Sequence, residues 1–422
     1  MEIDRRRFLQ SAAVLPAAQI QTGRQASEPA IGDLVWERGP NLPRPVKGQA
    51  QGVVEGKILY TCGFAFDHSG YTRPGPEAAQ SEVDALMRPR QIRYCRETWL
   101  FDPTAGKFSR LPDAPVGVFW PAGAVVGDDF YLLTGTMREA AYADKRGWQP
   151  GEKHDVTSRR VFRLSRRQGD WRWEELPGMR IGRFLPAVAA VGSMLYVIGG
   201  AASFGAEPMS GDRPGPYVNA VEALDVARRE DGWRDIAPLP GMGRYDPSVA
   251  VVRGKVYLFG GFYDHLYHVP AKFSRFCGDA YCYDPGTRRW DQLPDLPFAL
   301  NSAKAVTVRD RYVIMAGGRR GGGNVEHPFT GDKSGEPRAN LETLVYDVER
   351  SSYTSLPSRL PPAPTFPKNF KGAFPPEWGG HWLSQAALIG EDVYLLGGEV
   401  ADLAYSNCSD VMWIGRIRWR TG

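Results

Sequence analysis

The chain has 422 residues, of which 42% are hydrophobic and 24% are charged, and its formal net charge at pH 7 is +4. Its basic residues are interspersed with acidic ones, which disfavours a nucleic-acid partner, and no apolar run approaches the roughly 20 residues that cross a bilayer. The 48 glycines, 34 prolines and 12 tryptophans are typical of short strands joined by tight turns. We therefore expect an all-β protein with no nucleic-acid partner and no membrane span.

Residues 1–28 are interpreted as a signal peptide and linker, which leaves residues 29–422 for the fold. An Arg-Arg pair at 5–6 is followed by Phe-Leu at 8–9 and by a short, weakly apolar run at 11–18. This order resembles a twin-arginine export signal, and the alternative is a disordered basic N-terminus. The signal predicts a periplasmic or secreted protein.

One module recurs six times along the rest of the chain. It contains an apolar strand, a tight hairpin, a strand ending in Gly-Gly, an insertion, a strand ending near Asp, and an aromatic residue followed by Leu-Pro. The Gly-Gly pairs lie at 199–200, 260–261, 317–318 and 397–398, and are reduced to one glycine at 63 and at 135. The Leu-Pro pairs lie at 42–43, 111–112, 176–177, 239–240, 293–294 and 356–357. Self-similarity of this kind is the signature of a repeat architecture.

The modules resemble kelch repeats, each of which forms one four-stranded antiparallel blade of a β-propeller. They cover residues 33–420, so we predict an all-β, six-bladed kelch-type β-propeller. A closed ring buries both faces of every sheet against its neighbours, which a single blade cannot do. The chain begins with a fourth-strand element at 34–36 and ends with a third-strand element at 411–414. The N-terminal strand is therefore predicted to close the ring in the last blade.

The long insertions follow the second strand of each module, and such loops are expected on one face of the propeller. They span 64–94, 136–157, 201–217, 262–276, 319–339 and 399–407. The long crossing between blades 5 and 6, at 358–379, is expected on the same face, whereas the hairpins of the opposite face are minimal. Long loops on a rigid scaffold usually carry function, so we expect the ligand site on this loop face.

The residues that open the first strand of each module are expected to line the mouth of the central funnel. Arg183 and Arg244 occupy equivalent positions in adjacent blades and are predicted to hold one substrate carboxylate between them. The alternative is that they tie down loop carbonyls. Further candidates for substrate contact are Asn301, Arg319, Trp120 and Trp382. The two tryptophans could stack on a sugar ring or belong to the core.

Glu399 and His381 are the candidate catalytic residues. Glu399 directly follows the last Gly-Gly, which predicts a carboxylate at the rim of the pocket, acting as an acid or base or serving as a plain surface charge. His381 opens the first strand of the same module, and the alternative is that it packs beneath the 358–379 crossing.

No metal and no other cofactor is predicted. Segment 264–268 (Asp-His-Leu-Tyr-His) is the only local cluster of metal-capable residues, and loops hold such residues for many reasons. None of the five cysteines lies in a CxxC pair. The glycine-rich segment 317–324 lacks the Gly-Lys-Ser/Thr of a phosphate-binding loop.

Among kelch propellers, the chain resembles the bacterial sialic-acid mutarotase (N-acetylneuraminate epimerase) group in its six blades, its N-terminal closure and its last Gly-Gly-Glu. The resemblance implies a catalytic pair made of a Glu directly after Gly-Gly and an Arg several residues later. Glu399 matches the Glu, but Tyr405 stands where the Arg would fall.

The resemblance implies an exported carbohydrate-binding protein with mutarotase activity on a sialic-acid-like sugar acid. One group removes the proton of the anomeric hydroxyl while another protonates the ring oxygen. The alternative from a different class is a non-catalytic propeller that binds a glycan or a protein.

Overall fold

The computed structural model describes residues 29–66, 92–140, 153–202, 218–263, 275–321, 338–362, 381–399 and 408–420. Most of them form six four-stranded antiparallel sheets, and the one helix among them is a 3-10 segment at Val226–Asp231. In this part of the chain no helix is long and apolar enough to cross a membrane. The six sheets are the blades of a β-propeller, so the predicted fold class is confirmed.

The strands are numbered in chain order, beginning with β1 (Ile31–Arg38). Blade 1 contains β2 (Ala50–Val54), β3 (Lys57–Thr61), β6 (Thr98–Asp102) and β7 (Lys107–Leu111). Blade 2 contains β8 (Ala122–Val126), β9 (Asp129–Leu133), β12 (Val161–Arg167) and β13 (Asp170–Leu176). Blade 3 contains β14 (Ala187–Val191), β15 (Met194–Ile198), β16 (Val221–Asp225) and β17 (Arg234–Ile236).

The other three blades repeat this order. Blade 4 contains β18 (Ser248–Val252), β19 (Lys255–Phe259), β22 (Ala280–Asp284) and β23 (Arg289–Leu293). Blade 5 contains β25 (Lys304–Val308), β26 (Tyr312–Ala316), β29 (Glu342–Asp347) and β30 (Ser352–Arg359). Blade 6 contains β31 (Gln385–Ile389), β32 (Asp392–Leu396), β33 (Met412–Trp419) and β1.

Short strands form the stems of the insertions at the loop face. They are β4 (Phe64–Phe66), β5 (Ile92–Tyr94), β10 (Thr136–Ala140), β11 (Lys153–Thr157), β20 (Phe262–Tyr263), β21 (Arg275–Phe276), β24 (Ala299–Asn301), β27 (Arg319–Gly321) and β28 (Arg338–Ala339). The interiors of the insertions and most of the 358–379 crossing lie outside the described residues. The stems lie at one end of the ring, and the placement of the interiors stays a prediction.

The ring is closed by β1, which pairs antiparallel with β33 as the outermost strand of blade 6. Leu34 lies opposite Ile417 and Trp36 lies opposite Gly415. A Cβ on Gly415 would lie 2.9 Å from Cγ of the fully buried Leu34, so this position has no room for a side chain. The predicted closure by the N-terminal strand is confirmed.

Backbone hydrogen bonds link each blade to the next. The N–H of the last glycine of each second strand donates to the carbonyl of the residue that opens the next blade, at N–O distances of 2.8–3.0 Å. The donor and acceptor residues are Gly63 and Val118, Gly135 and Arg183, Gly200 and Arg244, Gly261 and Leu300, Gly318 and His381, and Gly398 and Val46. Glycine is needed just before the donor too: Gly260 has a φ of 61°, and a Cβ there would lie 2.2 Å from the carbonyl oxygen of Leu300.

The aromatic residue of each aromatic–Leu-Pro element connects neighbouring blades at their outer edges. In four of the six elements its polar atom donates to a carbonyl near the Leu-Pro of the preceding blade at 2.8–3.0 Å, from Trp173 to Pro112, Trp233 to Pro177, Trp290 to Ala237 and Tyr353 to Pro294. Between the blades, buried apolar side chains from facing sheets pack together, as Phe259 of blade 4 does with Met315 of blade 5. The repeated motifs of the sequence are therefore the contacts that hold blade to blade.

Candidate functional site

A ring of six left-handed residues surrounds the axis at the loop-face end of the first strands. They have φ between 49° and 59° and are Gly48, Trp120, Leu185, Asp246, Ser302 and Leu383. Four of the six neighbouring pairs are joined by backbone hydrogen bonds of 2.7–3.2 Å, for example from Asp246 N to Leu185 O and from Gly48 N to Leu383 O. On the far side of this ring, a cavity of about 180 Å³ is lined by the inner strands of the six blades.

The residue before each left-handed residue pairs with the residue that begins the insertion of the same blade. We call these six couples the mouth pairs. In blade order they are Lys47–Phe64, Phe119–Thr136, Phe184–Ala201, Tyr245–Phe262, Asn301–Arg319 and Trp382–Glu399. Of the predicted site residues, Asn301, Arg319, Trp382 and Glu399 are members of this set, and Trp120 belongs to the adjacent left-handed ring.

The mouth pairs fall into two sectors. Blades 5, 6 and 1 contribute Asn301, Arg319, Glu399 and Lys47, which we call the polar sector. Blades 2 to 4 contribute the aromatic sector, where successive ring centroids lie 4.0–6.1 Å apart. Its rings are Phe119, Trp120, Phe184, Tyr245 and Phe262. The mouth is therefore amphipathic, with one charged side and one aromatic side.

In the polar sector, Glu399 of blade 6 forms an ion pair with Lys47 of blade 1. The Nζ of Lys47 lies 3.1 Å from Oε2 of Glu399, and each side chain is 11% exposed. The ammonium also lies 5.2 Å from the centroid of the Phe64 ring. Removing either charge would leave the other desolvated and uncompensated, so the pair is held as a unit.

Arg319 lies beside this pair with its guanidinium stacked on Trp382. The Cζ of Arg319 is 3.5 Å from the centroid of the Trp382 ring. Burial lowers the pKa of Arg319, and the charges of Glu399 and Tyr245 offset part of that effect. Within the described residues, no carboxylate lies within 4.0 Å of this guanidinium, and its Nε has no hydrogen-bond partner.

Trp382 is fixed by a hydrogen-bond chain that begins in the left-handed ring. Its Nε1 donates to Oγ of Ser302, which donates to Oδ2 of Asp246. Lys304 completes the chain, with its Nζ 2.5 Å from Oδ1 of Asp246. Because Ser302 and Asp246 are buried, the indole that supports Arg319 has a defined position.

Arg183 and Arg244 do not share an anion, so that prediction is wrong. The Arg183 side chain is fully buried, donates to the carbonyls of Gly199 and Ala220 at 3.0 and 2.9 Å, and pairs with Glu222. Arg244 binds Asp279 through two bonds of 2.6 and 2.8 Å. Consecutive side chains point to opposite sides of an extended strand. Each arginine therefore points into its own blade, while the next residue faces the mouth.

His381 occupies the equivalent position in blade 6 and is likewise turned into the structure. Its Nε2 donates to the carbonyl of Pro361 at 2.9 Å, and its ring lies edge-on to Trp413. Burial lowers the pKa of His381 to about 4, so the imidazole is neutral at pH 7. Glu399 instead pairs with the next residue, Trp382, and the described contacts of His381 do not include Glu399. The structure therefore does not assemble the expected Glu399–His381 couple.

Metal binding has no positive support from the described part of the chain. Those residues contain no group of three or more His, Cys, Asp or Glu side chains able to hold a metal ion. Segment 264–268 lies outside the described residues, so the expectation about that segment stays a prediction.

A closed ring of six four-stranded blades, with Gly-Gly and aromatic–Leu-Pro contacts between them, defines a kelch-type β-propeller. The family model for N-acetylneuraminate epimerase matches residues 215–323. The solved structure of YjhT has a TM-score of 0.59 at 13% identity, over 91% of this chain and 99% of that one. This chain is thus a kelch propeller that resembles the sialic-acid mutarotase group.

Curated relatives match over parts of their length. An N-acetylneuraminate epimerase of Haemophilus influenzae is 26% identical over 184 residues, which are 42% of this chain and 47% of that protein. Kelch repeat and BTB domain-containing protein 12 of Danio rerio is 22% identical over 232 residues, which are 55% of this chain and 34% of that protein. Each alignment therefore spans less than half of the relative's own length.

Proposed function

We propose that this protein binds a sialic-acid-like sugar acid in the mouth of the loop face and catalyses its mutarotation. The observation that carries the proposal is the Lys47–Glu399 ion pair, a proton donor and a proton acceptor 3.1 Å apart at the rim of the funnel. The matched N-acetylneuraminate epimerase family model and the Haemophilus influenzae relative support the choice of substrate class.

The reaction needs one base and one acid. The carboxylate of Glu399 takes the proton of the anomeric hydroxyl, and the ammonium of Lys47 gives a proton to the ring oxygen. The bond between the anomeric carbon and the ring oxygen breaks, leaving a carbonyl and a free hydroxyl. After rotation of the carbonyl, that hydroxyl attacks its other face and both protons return. Lys47 thus takes the place beside Glu399 that the sequence suggested for His381.

The test is the rate of exchange between the two anomers of N-acetylneuraminate, measured by NMR exchange spectroscopy. Glu399→Gln should lower the catalysed rate roughly 10²–10⁴-fold, the usual contribution of one general acid or base. The matched control is Glu391→Gln, in the hairpin at the opposite end of the same blade, where the carboxylate pairs with the exposed Arg309. Full activity in a folded Glu399→Gln protein would contradict the assignment.

The same experiment separates this proposal from a non-catalytic glycan-binding or protein-binding propeller. The aromatic sector is the feature that favours binding without chemistry, because its two partly exposed rings, Trp120 and Tyr245, supply a surface on which a sugar face can stack. If the wild-type protein binds N-acetylneuraminate but leaves the anomer exchange rate unchanged, the binding function stands and the mutarotase function fails.

The proposal includes export, supported by the Arg-Arg pair at 5–6 before Phe-Leu at 8–9. Changing both arginines to lysine should leave the full-length precursor in the cytoplasm, as followed by cell fractionation. Unchanged export of this variant would refute the twin-arginine route, and the wild-type chain in the same strain is the control.

A further inference from the structure

Arg319 is half-buried and differs from the two fully buried arginines near this end of the propeller. Arg183 and Arg244 are each paired with a carboxylate. Arg319 has no such partner among the described residues, and its Nε makes no hydrogen bond. A desolvated guanidinium is costly unless it is paired, and here the stacking on Trp382 supplies only part of the compensation.

A second unpaired donor lies opposite Arg319. Asn301 is 3% exposed, and its Oδ1 lies 3.3 Å from Oγ of Ser302, whose hydroxyl hydrogen is donated to Asp246. The Nδ2 of Asn301 has no hydrogen-bond partner among the residues that the structure describes. Asn301 and Arg319 are directly opposite in the antiparallel β24–β27 ladder, so their side chains project from the same side of that stem. Two sets of unused N–H groups are therefore close together in the polar sector.

We infer that Arg319 and Asn301 form the carboxylate-binding subsite of the mouth. A guanidinium that stacks through its face keeps its N–H edge free for the two oxygens of a carboxylate. The amide of Asn301 supplies a further N–H to the same group. The chain from Trp382 through Ser302 to Asp246 fixes the plane of the stack and so the direction of that edge. This assignment rests on the proposed function for the sugar part of the ligand.

The position of the subsite determines how the ligand lies. Arg319 and Glu399 both contact Trp382, the first by stacking and the second as its mouth-pair partner. A carboxylate held by Arg319 therefore brings the adjoining carbons of the ligand toward Glu399 and Lys47. The rest of the ligand extends toward the aromatic sector, where an uncharged sugar face can stack on aromatic rings.

The experiment is isothermal titration calorimetry with N-acetylneuraminate and with its methyl ester, which lacks the carboxylate charge. Arg319→Gln should weaken binding of the acid roughly 10- to 150-fold, the range for a hydrogen bond to a charged group, and leave binding of the ester unchanged. Asn301→Asp should also weaken binding of the acid, because the carboxylate of the new aspartate would pair with the guanidinium of Arg319.

Arg320→Gln is the matched control. Arg320 is the next residue on the same strand, projects to the opposite side, and pairs with Glu342. The Arg320→Gln variant should bind both ligands with the affinity of the wild type. If Arg319→Gln does not fold, Arg319→Lys replaces it, because lysine keeps the charge and loses the two-pronged geometry.

Three results would overturn the subsite assignment. They are equal losses of affinity for the acid and the ester, no loss of affinity in a folded Arg319 variant, and no binding of the acid by the wild type. The binding measurement tests the subsite, and the anomer exchange measurement tests the mutarotase function, so one proposal can fail without the other. Arg319-dependent binding without exchange keeps the subsite and refutes the mutarotase, whereas exchange that does not depend on Arg319 keeps the mutarotase and refutes the subsite.

Discussion

The polar and aromatic sectors of the mouth have the same repeated backbone arrangement but differ in whether their side chains have interaction partners. In the aromatic sector, Phe119, Phe184 and Phe262 are buried and each ring contacts another ring. In the polar sector, Arg319 and Asn301 retain donors without partners among the described residues. A sixfold repeated scaffold thus carries one sector completed by its own packing and one that a ligand would complete.

The same contrast separates an arginine that lies one position before a mouth-pair residue from an arginine that is itself a member of a mouth pair. Arg183 points into its blade and is fully paired, whereas Arg319 faces the mouth and is not. The direction in which the side chain projects, into the blade or toward the mouth, decides which arginine is available to a ligand. Two predictions test whether this distinction holds.

The largest expected effect is on stability and comes from Arg183. Arg183→Met should lower the free energy of unfolding by about 3–5 kcal/mol, because it leaves the buried carboxylate of Glu222 without its cation. The matched variant Arg319→Met removes an arginine that has no carboxylate partner among the described residues, and should stay within about 1 kcal/mol of wild type. Urea unfolding measures both. Equal losses of unfolding free energy in the two variants would contradict the distinction between Arg183 and Arg319.

A smaller effect is expected from His381 and depends on pH. Its pKa is about 4 in the folded chain, below its ordinary value of 6.5. The unfolded chain therefore takes up a proton first as the pH falls. The stability of wild type should decrease between pH 6.5 and 4, by on the order of 3 kcal/mol, and be unaffected above that window.

His381→Gln should flatten this dependence while keeping anomer exchange, because the imidazole is not part of the mouth. Thermal unfolding at a series of pH values provides the stability profile, and NMR exchange provides the activity. A variant that keeps the wild-type pH profile of stability, or that loses exchange while folded, would return His381 to the list of catalytic candidates.

The fold was predictable because its determinants are local and repeated. Gly-Gly occurs where a second strand passes close to the next blade, and the aromatic–Leu-Pro element bonds to the preceding one. The copies make equivalent backbone contacts between neighbouring blades, so six copies indicate a ring. The closure by β1 followed from the order of elements alone.

The site was only partly predictable because the direction of a side chain changes with every residue of an extended strand. Arg183, Arg244 and His381 are one position before the residues that face the mouth, so a shift of one residue reversed their roles. The residue after Gly-Gly was the better guide, since it pairs with the mouth-facing residue, as Glu399 does with Trp382. The pairing of Glu399 with Lys47, 352 positions away, had no local signal.

The closure of blade 6 has a consequence for the order of folding. Glu37 of β1 and Arg416 of β33 form an ion pair across 379 positions of sequence. During synthesis, β1 leaves the ribosome long before its partner exists, and contacts of such sequence separation form late. Until then, both β1 and the edge of β32 present unpaired backbone groups, which are templates for intermolecular pairing. The strand that closes the finished ring thus leaves two unpaired edges on the nascent chain until β33 has been made.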